Sequence, residues 1–288
     1  MQIGVSAYSF SPLIKGGKFT LFDAVNSAKE IGYDSIEFTG LESPPGKSLP
    51  DFAEELRNAC EKAGLSISCY AVSADFLNGS GGDSKAEAER IKGAVDIARI
   101  LGVPCLRHDA SWGIKETAPA GCRTYRDAIR IVAPAIREVT EYAARYGIRT
   151  MTENHGYFLQ ESSRVEKLVL AVDHPNYGLL VDIGNFMCAD ESSTAALPAV
   201  MPYAFHVHAK DFLLKSGAEP RPDSSWFPTR AGNWLRGTIL GHGVVSVAQC
   251  LDFIKKSGYN GSISLEFEGP EEPIAAIRRG FEFLKVHC

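Results

Sequence analysis

The feature that most constrains this chain is one pattern that recurs five times: an amphipathic run, a glycine, then a short β-rich run that ends in polar residues. It appears as AKEIGYDSIEF, CEKAGLSISCY, ARILGVPCLRHD, AARYGIRTMTEN and IKKSGYNGSISLEFEG, with Gly32, Gly64, Gly102, Gly147 and Gly258 at the junctions. A glycine there suits the left-handed residue that ends a helix, and the run after it suits a strand. Helices that alternate with strands in this way predict a parallel sheet.

Three further strands complete the pattern. Residues 2–7 are predicted to form the first strand. Two further strands, at 178–182 and 203–209, each follow a short helix. The eight predicted strands span residues 2–7, 34–38, 65–71, 104–108, 148–154, 178–182, 203–209 and 262–268. Eight β/α units predict a (β/α)8 TIM barrel, here one domain over residues 1–288. A doubly wound open sheet is the alternative, but no GxGxxG follows the first strand.

Composition excludes several classes of function. A net charge of −5 gives the chain no overall attraction for nucleic acid or anionic lipid. We find no apolar run of about 18 residues and no basic start followed by an apolar stretch, so neither a membrane span nor a signal peptide is expected. The seven cysteines lack CxxC spacing and fit reduced thiols. These observations predict a cytoplasmic protein without a nucleic acid or membrane partner.

Ionisable side chains collect at the C-terminal ends of the predicted strands, where TIM-barrel enzymes carry their active sites. In HVHAKDF, residues two apart share one face of a strand, so His206, His208 and Lys210 point together. The other strand ends supply Glu37, His108, Asp109, Glu153, Asn154, His155, Asp182, Asn185, Glu266 and Glu268. Converging carboxylates repel one another and lose hydration, and a divalent cation compensates for both. The mixed carboxylate and imidazole set predicts Mn²⁺, Mg²⁺, Co²⁺ or Zn²⁺, with one of the two histidines as a ligand.

These residues, with the segments IGYDSIEF, TENHG, LLVDIGNF, HVHAKD and GYNGSISLEFEG, resemble the xylose isomerase-like TIM-barrel family of sugar phosphate isomerases and epimerases, in the AP endonuclease family 2 superfamily. The resemblance covers essentially the whole chain. It implies one divalent ion, Mn²⁺ in the first place, held by Glu153, Asp182, His208 and Glu266. It also implies that Glu153 and Glu266 are the acid and base on either side of a substrate carbon. A proton beside a carbonyl leaves only if the resulting enediolate is stabilised, and a metal supplies that stabilisation.

A second group of residues is expected to face the substrate. It comprises Glu37, His108, His155, Asn185, His206, Lys210, Glu268 and Arg236. The alternatives are a structural interior histidine at His206 or His108, and a salt bridge from Lys210 to Asp211 or Glu268. Asn185 departs from the ketose 3-epimerases, which carry a histidine there. An amide hydrogen-bonds a hydroxyl but does not transfer a proton as imidazole does.

The stretch 213–243 is predicted to be a long irregular loop, and a loop of this length is typical of a lid over an active site. Its arginines are Arg221, Arg230 and Arg236, and its aromatic residues are Trp226, Phe227 and Trp234. The arginines suit a phosphate or carboxylate clamp. The aromatic residues suit closure over a sugar ring or a contact with a second subunit. Beyond the loop, Ser246 is the predicted N-cap of the next helix.

The leading hypothesis is a divalent-metal-dependent isomerase or epimerase that acts on a sugar, sugar phosphate or cyclitol through an enediolate. The alternative is a dehydratase or lyase on a keto-sugar or keto-cyclitol, because elimination starts with the same proton removal. Metal-dependent DNA repair would need more ligands and a basic surface. A non-catalytic binding barrel would not require both Glu153 and Glu266. By analogy with the family, a homo-oligomer is expected.

Overall fold

In a computed structural model, which describes residues 1–288, eight parallel strands close into a barrel. The strands of the chain are β1 (Gln2–Ser6), β2 (Ser35–Thr39), β3 (Ser66–Val72), β4 (Cys105–His108), β5 (Arg149–Glu153), β6 (Tyr177–Asp182), β7 (Ala204–Ala209), β8 (Asp211–Lys215), β9 (Phe227–Pro228), β10 (Trp234–Thr238) and β11 (Ser262–Leu265). The order around the barrel is β1-β11-β7-β6-β5-β4-β3-β2. The predicted TIM barrel is confirmed, with β11 as its eighth strand.

Helices surround the barrel and lead from one strand to the next. They are α1 (Ser11–Lys15), α2 (Leu21–Ile31), α3 (Leu49–Ala63), α4 (Ser84–Leu101), α5 (Tyr125–Ala144), α6 (Ser162–Val172), α7 (Ser193–Val200), α8 (Val247–Lys256) and α9 (Pro273–His287). All five junction glycines have positive φ, as the recurring pattern requires. Ser246 occupies the N-cap position of α8, but its hydroxyl makes no capping hydrogen bond. Every helix is too short or too polar to cross a bilayer.

The barrel strands agree with the predicted ranges to within one residue at each end, except at the last strand. That strand ends at Leu265, so Glu266 and Glu268 lie in the segment after it and not within it as predicted. Gln2 pairs with Ser262, which closes the sheet between its first and last strands. The barrel therefore needs both ends of the chain.

A small apolar layer fills the lower half of the barrel interior. It consists of Cys69, Cys105, Met151 and Leu180, one residue from each of β3 to β6, with Phe205 packed against it. Cys105, Met151 and Leu180 each lie two residues before a charged residue, and residues two apart share a strand face. A charged layer therefore lies directly above this apolar layer. All seven cysteines are free, and six of them are buried. The interior thus has an apolar floor at the N-terminal ends of the strands.

The prediction that 213–243 is irregular is wrong in part. Strands β8, β10 and β9 form a three-stranded antiparallel sheet outside the barrel. Trp234 pairs with Lys215 and Thr238 with Asp211, so β10 returns along the whole of β8. No tight-turn signal joins these strands, because the chain between them is long, and sequence reasoning therefore missed the pairing. Phe227 packs edge-on against Phe212 with ring centroids 5.7 Å apart.

Asp211, at the start of β8, ties the small sheet to the loop that precedes α8. Its buried carboxylate accepts hydrogen bonds from the backbone N–H groups of Phe212 (2.9 Å), Gly241 (2.9 Å), Gly243 (2.8 Å) and Val245 (3.1 Å). A Cβ atom added to Gly243 would collide with this carboxylate and with the carbonyl oxygen of Phe212. Glycine is required here because the two segments approach so closely.

We predict that Gly243→Ala lowers the thermal unfolding temperature, because the methyl group must displace Asp211, at a cost of about 1–3 kcal/mol. Gly93→Ala is the matched control: Gly93 lies within α4 with nothing near its added Cβ, so alanine should stabilise by about 0.5–1 kcal/mol. Calorimetry of both variants should give shifts of opposite sign. An unchanged unfolding temperature in Gly243→Ala would contradict the close approach.

Candidate active site

A cavity of about 350 Å³ opens at the C-terminal ends of the barrel strands, a size that suits a small ligand. Its ionisable and aromatic lining residues are Tyr8, Glu37, Arg107, Asp109, Trp112, Glu153, His155, His208, Lys210, Glu266 and Glu268. A second cleft, of about 420 Å³, lies at the starts of α7 and α8 and has no histidine, lysine or arginine in its wall. Groups able to transfer protons or bind metals are therefore concentrated in the first cavity.

Four metal-ligand side chains meet beside this cavity. Glu153, Asp182, His208 and Glu266 come from β5, β6, β7 and the end of β11, all are buried, and their ligand atoms lie within 4.8 Å of one another. His208 Nδ1 is 3.8 Å from Glu153 Oε1, 3.9 Å from Asp182 Oδ2 and 3.5 Å from Glu266 Oε2. Ligands that share one small divalent ion at about 2.1 Å lie about 3 to 4.2 Å apart. The three distances from His208 have this spacing.

Two buried atoms of the cluster also lack hydrogen bonds. They are Asp182 Oδ2 and His208 Nδ1, although the Lys210 ammonium lies 3.3 Å from the former. A buried polar atom without a partner is costly, and a bound cation would satisfy both atoms at once. The other oxygen of Asp182 accepts from the backbone N–H groups of Gly184 and Asn185, which fixes the carboxylate. These four residues therefore fit a divalent cation.

A hydrogen bond across the barrel sets the orientation of the His208 ring. Its Nε2 lies 3.0 and 2.9 Å from the two carboxylate oxygens of Glu37, a fully buried residue of β2. Because a carboxylate only accepts, Nε2 carries the proton, and the neutral ring keeps its lone pair on Nδ1 for a metal. Burial disfavours the imidazolium, yet Glu37 and Glu266 raise the pKa of His208 well above its usual value. A cation that binds Nδ1 would therefore compete with a proton for this nitrogen.

His206 lies below the cavity and supports Glu37. Its Nε2 is 3.2 Å from Glu37 Oε2 and 3.0 Å from the hydroxyl of Ser264. Although burial opposes ionisation, the two histidines hold the pKa of Glu37 well below its usual range. His206 does not line the cavity, so the structural interpretation of this residue is favoured over substrate contact.

Lys210 joins the carboxylates on the opposite side of the cluster. Its Nζ lies 2.5 Å from Glu266 Oε2, 3.3 Å from Asp182 Oδ2 and 3.4 Å from Glu268 Oε2. Burial, with repulsion from Glu153 and Glu266, raises the pKa of Asp182 to about 6 although Lys210 opposes the shift. Burial also favours neutral Glu266, but Lys210 and His208 hold its pKa well below the usual range. Lys210 thus lines the cavity and forms salt bridges at the same time.

Arg107, a residue that sequence reasoning missed, holds Glu153. Its Nη2 donates to Glu153 Oε2 at 2.6 Å and lies 2.8 Å from Asp109 Oδ1, while the Asn185 amide donates to Glu153 Oε1 at 2.9 Å. His155 Nδ1 lies 3.1 Å from the same Asp109 oxygen. The sequence did contain a signal for Arg107. Residues 107 and 109 lie on the same face of β4, and side-chain alternation directs that face into the barrel.

Besides His206, three predicted substrate residues do not line the cavity. His108 faces the opposite side of β4, between Phe76 and Tyr177 at ring-centroid distances of 5.3 and 6.2 Å, and burial lowers its pKa to about 4. Asn185 is buried and contacts Glu153 instead. Arg236 lies over the ring of Trp226 in the small sheet. Alternation along β4 explains the first error, and the unforeseen small sheet explains the last.

The other arginines and aromatic residues of 213–243 also lie away from the cavity. Arg221 donates to the carbonyl oxygen of Ser224, and Arg230 pairs with Glu161 at 2.7 Å. The aromatic side chains that do line the opening are Tyr8 and Trp112, both about 40% exposed. Trp112 meets His155 edge-on at 5.0 Å. Tyr8 lies in a short 3-10 helix after β1 and Trp112 in an irregular segment after β4, and neither segment is long enough to show a periodicity.

Comparison with known proteins identifies the family. The family model described as xylose isomerase-like TIM barrel matches residues 25–287. The chain belongs to this family. One relative is L-ribulose-5-phosphate 3-epimerase UlaE from Escherichia coli. It is 26% identical over 273 residues, which cover 90% of this chain and 87% of the relative.

Solved structures share the family fold along the whole chain. D-allulose 3-epimerase from Methylomonas sp., in complex with D-allulose, superposes with a TM-score of 0.73 at 18% identity, covering 100% of this chain and 97% of that one. The probable 3-DHS dehydratase AsbF from Bacillus anthracis superposes with a TM-score of 0.74 at 17% identity, covering 99% of each chain. At these identities the likeness extends to the fold alone.

We predict that the purified chain binds about one Mn²⁺ ion and that Asp182→Ala abolishes this binding, because the variant loses a buried ligand. Glu268→Gln is the control: its carboxylate contacts Lys210 outside the four-residue cluster, so the variant should retain the ion. Elemental analysis after equilibration with Mn²⁺ measures both. Full metal content in Asp182→Ala, or loss of metal in Glu268→Gln, would contradict the assigned ligand set.

Proposed function

We propose that this chain is a divalent-metal-dependent isomerase or epimerase that removes and returns a proton beside the carbonyl group of a sugar. One observation carries the proposal: the carboxylates of Glu153 and Glu266 meet the same cluster from strands separated by β6 and β7. Two carboxylates that reach one substrate carbon from different sides are what epimerisation requires, since the proton leaves one face and returns to the other.

The relatives support the same class of reaction. UlaE is named as a 3-epimerase of a ketose phosphate, and the Methylomonas enzyme as a 3-epimerase of a free ketose. The chain shares the family with the first and the fold with the second. We therefore extend to this chain the action on a small carbohydrate. Cytoplasmic localisation and homo-oligomerisation remain predictions.

The proposed roles follow from how each carboxylate is held. Lys210 and His208 keep Glu266 ionised, so we assign it as the base in one direction. Arg107 and the Asn185 amide each contact one oxygen of Glu153 and fix its position for the opposite transfer. A divalent ion held by the four ligands, Mn²⁺ first among the candidates, would offset negative charge on the substrate oxygens.

Other cavity residues are proposed to contact substrate. His155, Glu268 and Lys210 offer hydrogen-bonding groups at the wall, and Trp112 and Tyr8 offer ring faces at the opening. Sugars combine hydroxyl groups with apolar C–H faces, so a wall of this mixed kind suits them. Glu37 lines the cavity but is proposed to orient His208 first, because both its oxygens lie within hydrogen-bond distance of that ring.

Elimination is the second candidate. It shares the first proton removal and then needs an acid near the departing hydroxyl, a need that Lys210 or His155 would meet. The probable dehydratase AsbF has the same fold. The two reactions differ in their products, because epimerisation in deuterated water returns a labelled sugar and elimination yields an unsaturated one.

We predict that Glu153→Gln and Glu266→Gln each reduce turnover at least about 100-fold, because an amide cannot exchange a proton as a carboxylate does. Incubation of the Mn²⁺-loaded protein with keto-pentoses and keto-hexoses in deuterated water, followed by NMR, measures the label and its position. Circular dichroism and metal analysis of each variant are the controls. A variant that keeps its fold and near-normal label incorporation would remove that residue from the acid–base pair.

We predict that Arg107→Lys lowers kcat about 10- to 100-fold with a smaller effect on KM, because a misplaced reacting group costs rate at this scale. An ammonium group cannot hold Glu153 and Asp109 with the planar geometry of a guanidinium. Arg236→Lys is the matched control and should behave like the natural chain, since Arg236 lies away from the cavity. Equal kcat values for both variants would contradict a positioning role for Arg107.

A further inference from the structure

We infer that the substrate of this chain is a keto-sugar without a phosphate group. This inference rests on the proposed function and narrows its substrate class. It comes from one juxtaposition: carboxylates of the chain itself pair with both cations of the cavity wall and with several backbone N–H groups in the loops after the seventh and eighth barrel strands. TIM-barrel enzymes frequently form that phosphate site from the loops after the seventh and eighth strands and a helix N-terminus.

In the loop between β10 and α8, which completes the connection from the seventh barrel strand, three backbone N–H groups are already engaged. Its N–H groups at Gly241, Gly243 and Val245 all donate to the Asp211 carboxylate, at distances of 2.8 to 3.1 Å. Asp211 is buried and belongs to the adjacent strand, so it cannot move aside without opening the small sheet. A phosphate would compete with this carboxylate for the same donors.

The segment after the eighth barrel strand is closed to phosphate in the same way. The N-terminus of α9 is capped by Glu272, whose two oxygens accept from the N–H groups of Ile274 (3.1 Å) and Ala275 (2.7 Å). Glu271 directly precedes this cap in the sequence. A phosphate dianion at the N-terminus of α9 would therefore meet the like charge of these carboxylates.

The cavity wall has no unpaired cation to offset that repulsion. Its two permanent cations are Arg107, paired with Asp109 and Glu153, and Lys210, paired with Asp182, Glu266 and Glu268. Carboxylates outnumber these cations among the lining residues by five to two. The second cleft on this face has Asp190 and Glu191 in its wall and no cationic side chain.

The relative UlaE, by contrast, is named for a substrate that carries a 5-phosphate. A phosphate ester is bound through guanidinium or ammonium groups and backbone N–H donors. Here both cations of the cavity wall are engaged by carboxylates within the chain, and so are five backbone N–H groups after the seventh and eighth barrel strands, those of Gly241, Gly243, Val245, Ile274 and Ala275. A neutral sugar needs neither, because its hydroxyl groups pair with the carboxylate, imidazole and ammonium groups of the wall.

The first test titrates the full chain, stripped of metal by a chelator, with inorganic phosphate at constant ionic strength. We expect the thermal unfolding temperature to change by less than about 1 °C up to 20 mM phosphate, because no protein-built site exists to stabilise the native state. A saturable rise beyond that value would reveal such a site and overturn the inference. This measurement requires no knowledge of the true substrate.

The second test compares matched sugars on the Mn²⁺-loaded chain. L-ribulose and L-ribulose 5-phosphate are incubated separately in deuterated water, and kcat/KM for label incorporation is measured. We expect the free sugar to exceed its ester at least about tenfold, and an ester that exchanges as fast or faster would overturn the inference. Failure of every sugar to exchange would count against the proposed function alone, and the phosphate titration would still decide the inference.

Discussion

Side-chain alternation along closed parallel strands is the constraint on which the rest of this structure depends. Every second residue of a barrel strand points into a narrow interior, so the same strands that bury Cys105, Met151 and Leu180 must also direct Arg107, Glu153 and Asp182 inward two residues later. Apolar and charged layers are thereby stacked. Residues far apart in the chain become neighbours because they occupy the same level of one cylinder.

The charged layer is stable only because its members compensate one another. Six buried or nearly buried carboxylates would repel strongly in this space, and the histidines, Lys210 and Arg107 are distributed among them so that each carboxylate contacts a cation or a hydrogen-bond donor. The bond between Glu37 and His208 crosses the barrel and fixes which ring nitrogen faces the cluster. This hydrogen bond therefore determines both the orientation of the His208 ring and which of its nitrogens carries the proton.

Much of this arrangement was predictable from sequence. The recurring helix–glycine–strand pattern predicted five of the eight barrel strands, and the remaining three were predicted from the segments between them. The alternation of HVHAKDF predicted that His206, His208 and Lys210 share a face, and both histidines do contact Glu37. His108 was predicted to contact substrate because imidazole can transfer protons. Alternation along β4, however, points the side chain of its neighbour Arg107 into the barrel. The pairing of Asp211–Lys215 with Trp234–Thr238 had no local signal, because contacts between distant segments are decided by packing. The contact of Asn185 with Glu153 was hidden for the same reason.

The apolar floor of Cys69, Cys105, Met151 and Leu180 lies below the charged layer, and the cavity above it opens at the C-terminal ends of the strands. Tyr8 and Trp112 line that cavity. In the proposed reaction, a sugar bound there would separate the reacting carboxylates from bulk water. A proton held by one of them would therefore exchange with solvent more slowly while the cavity is occupied.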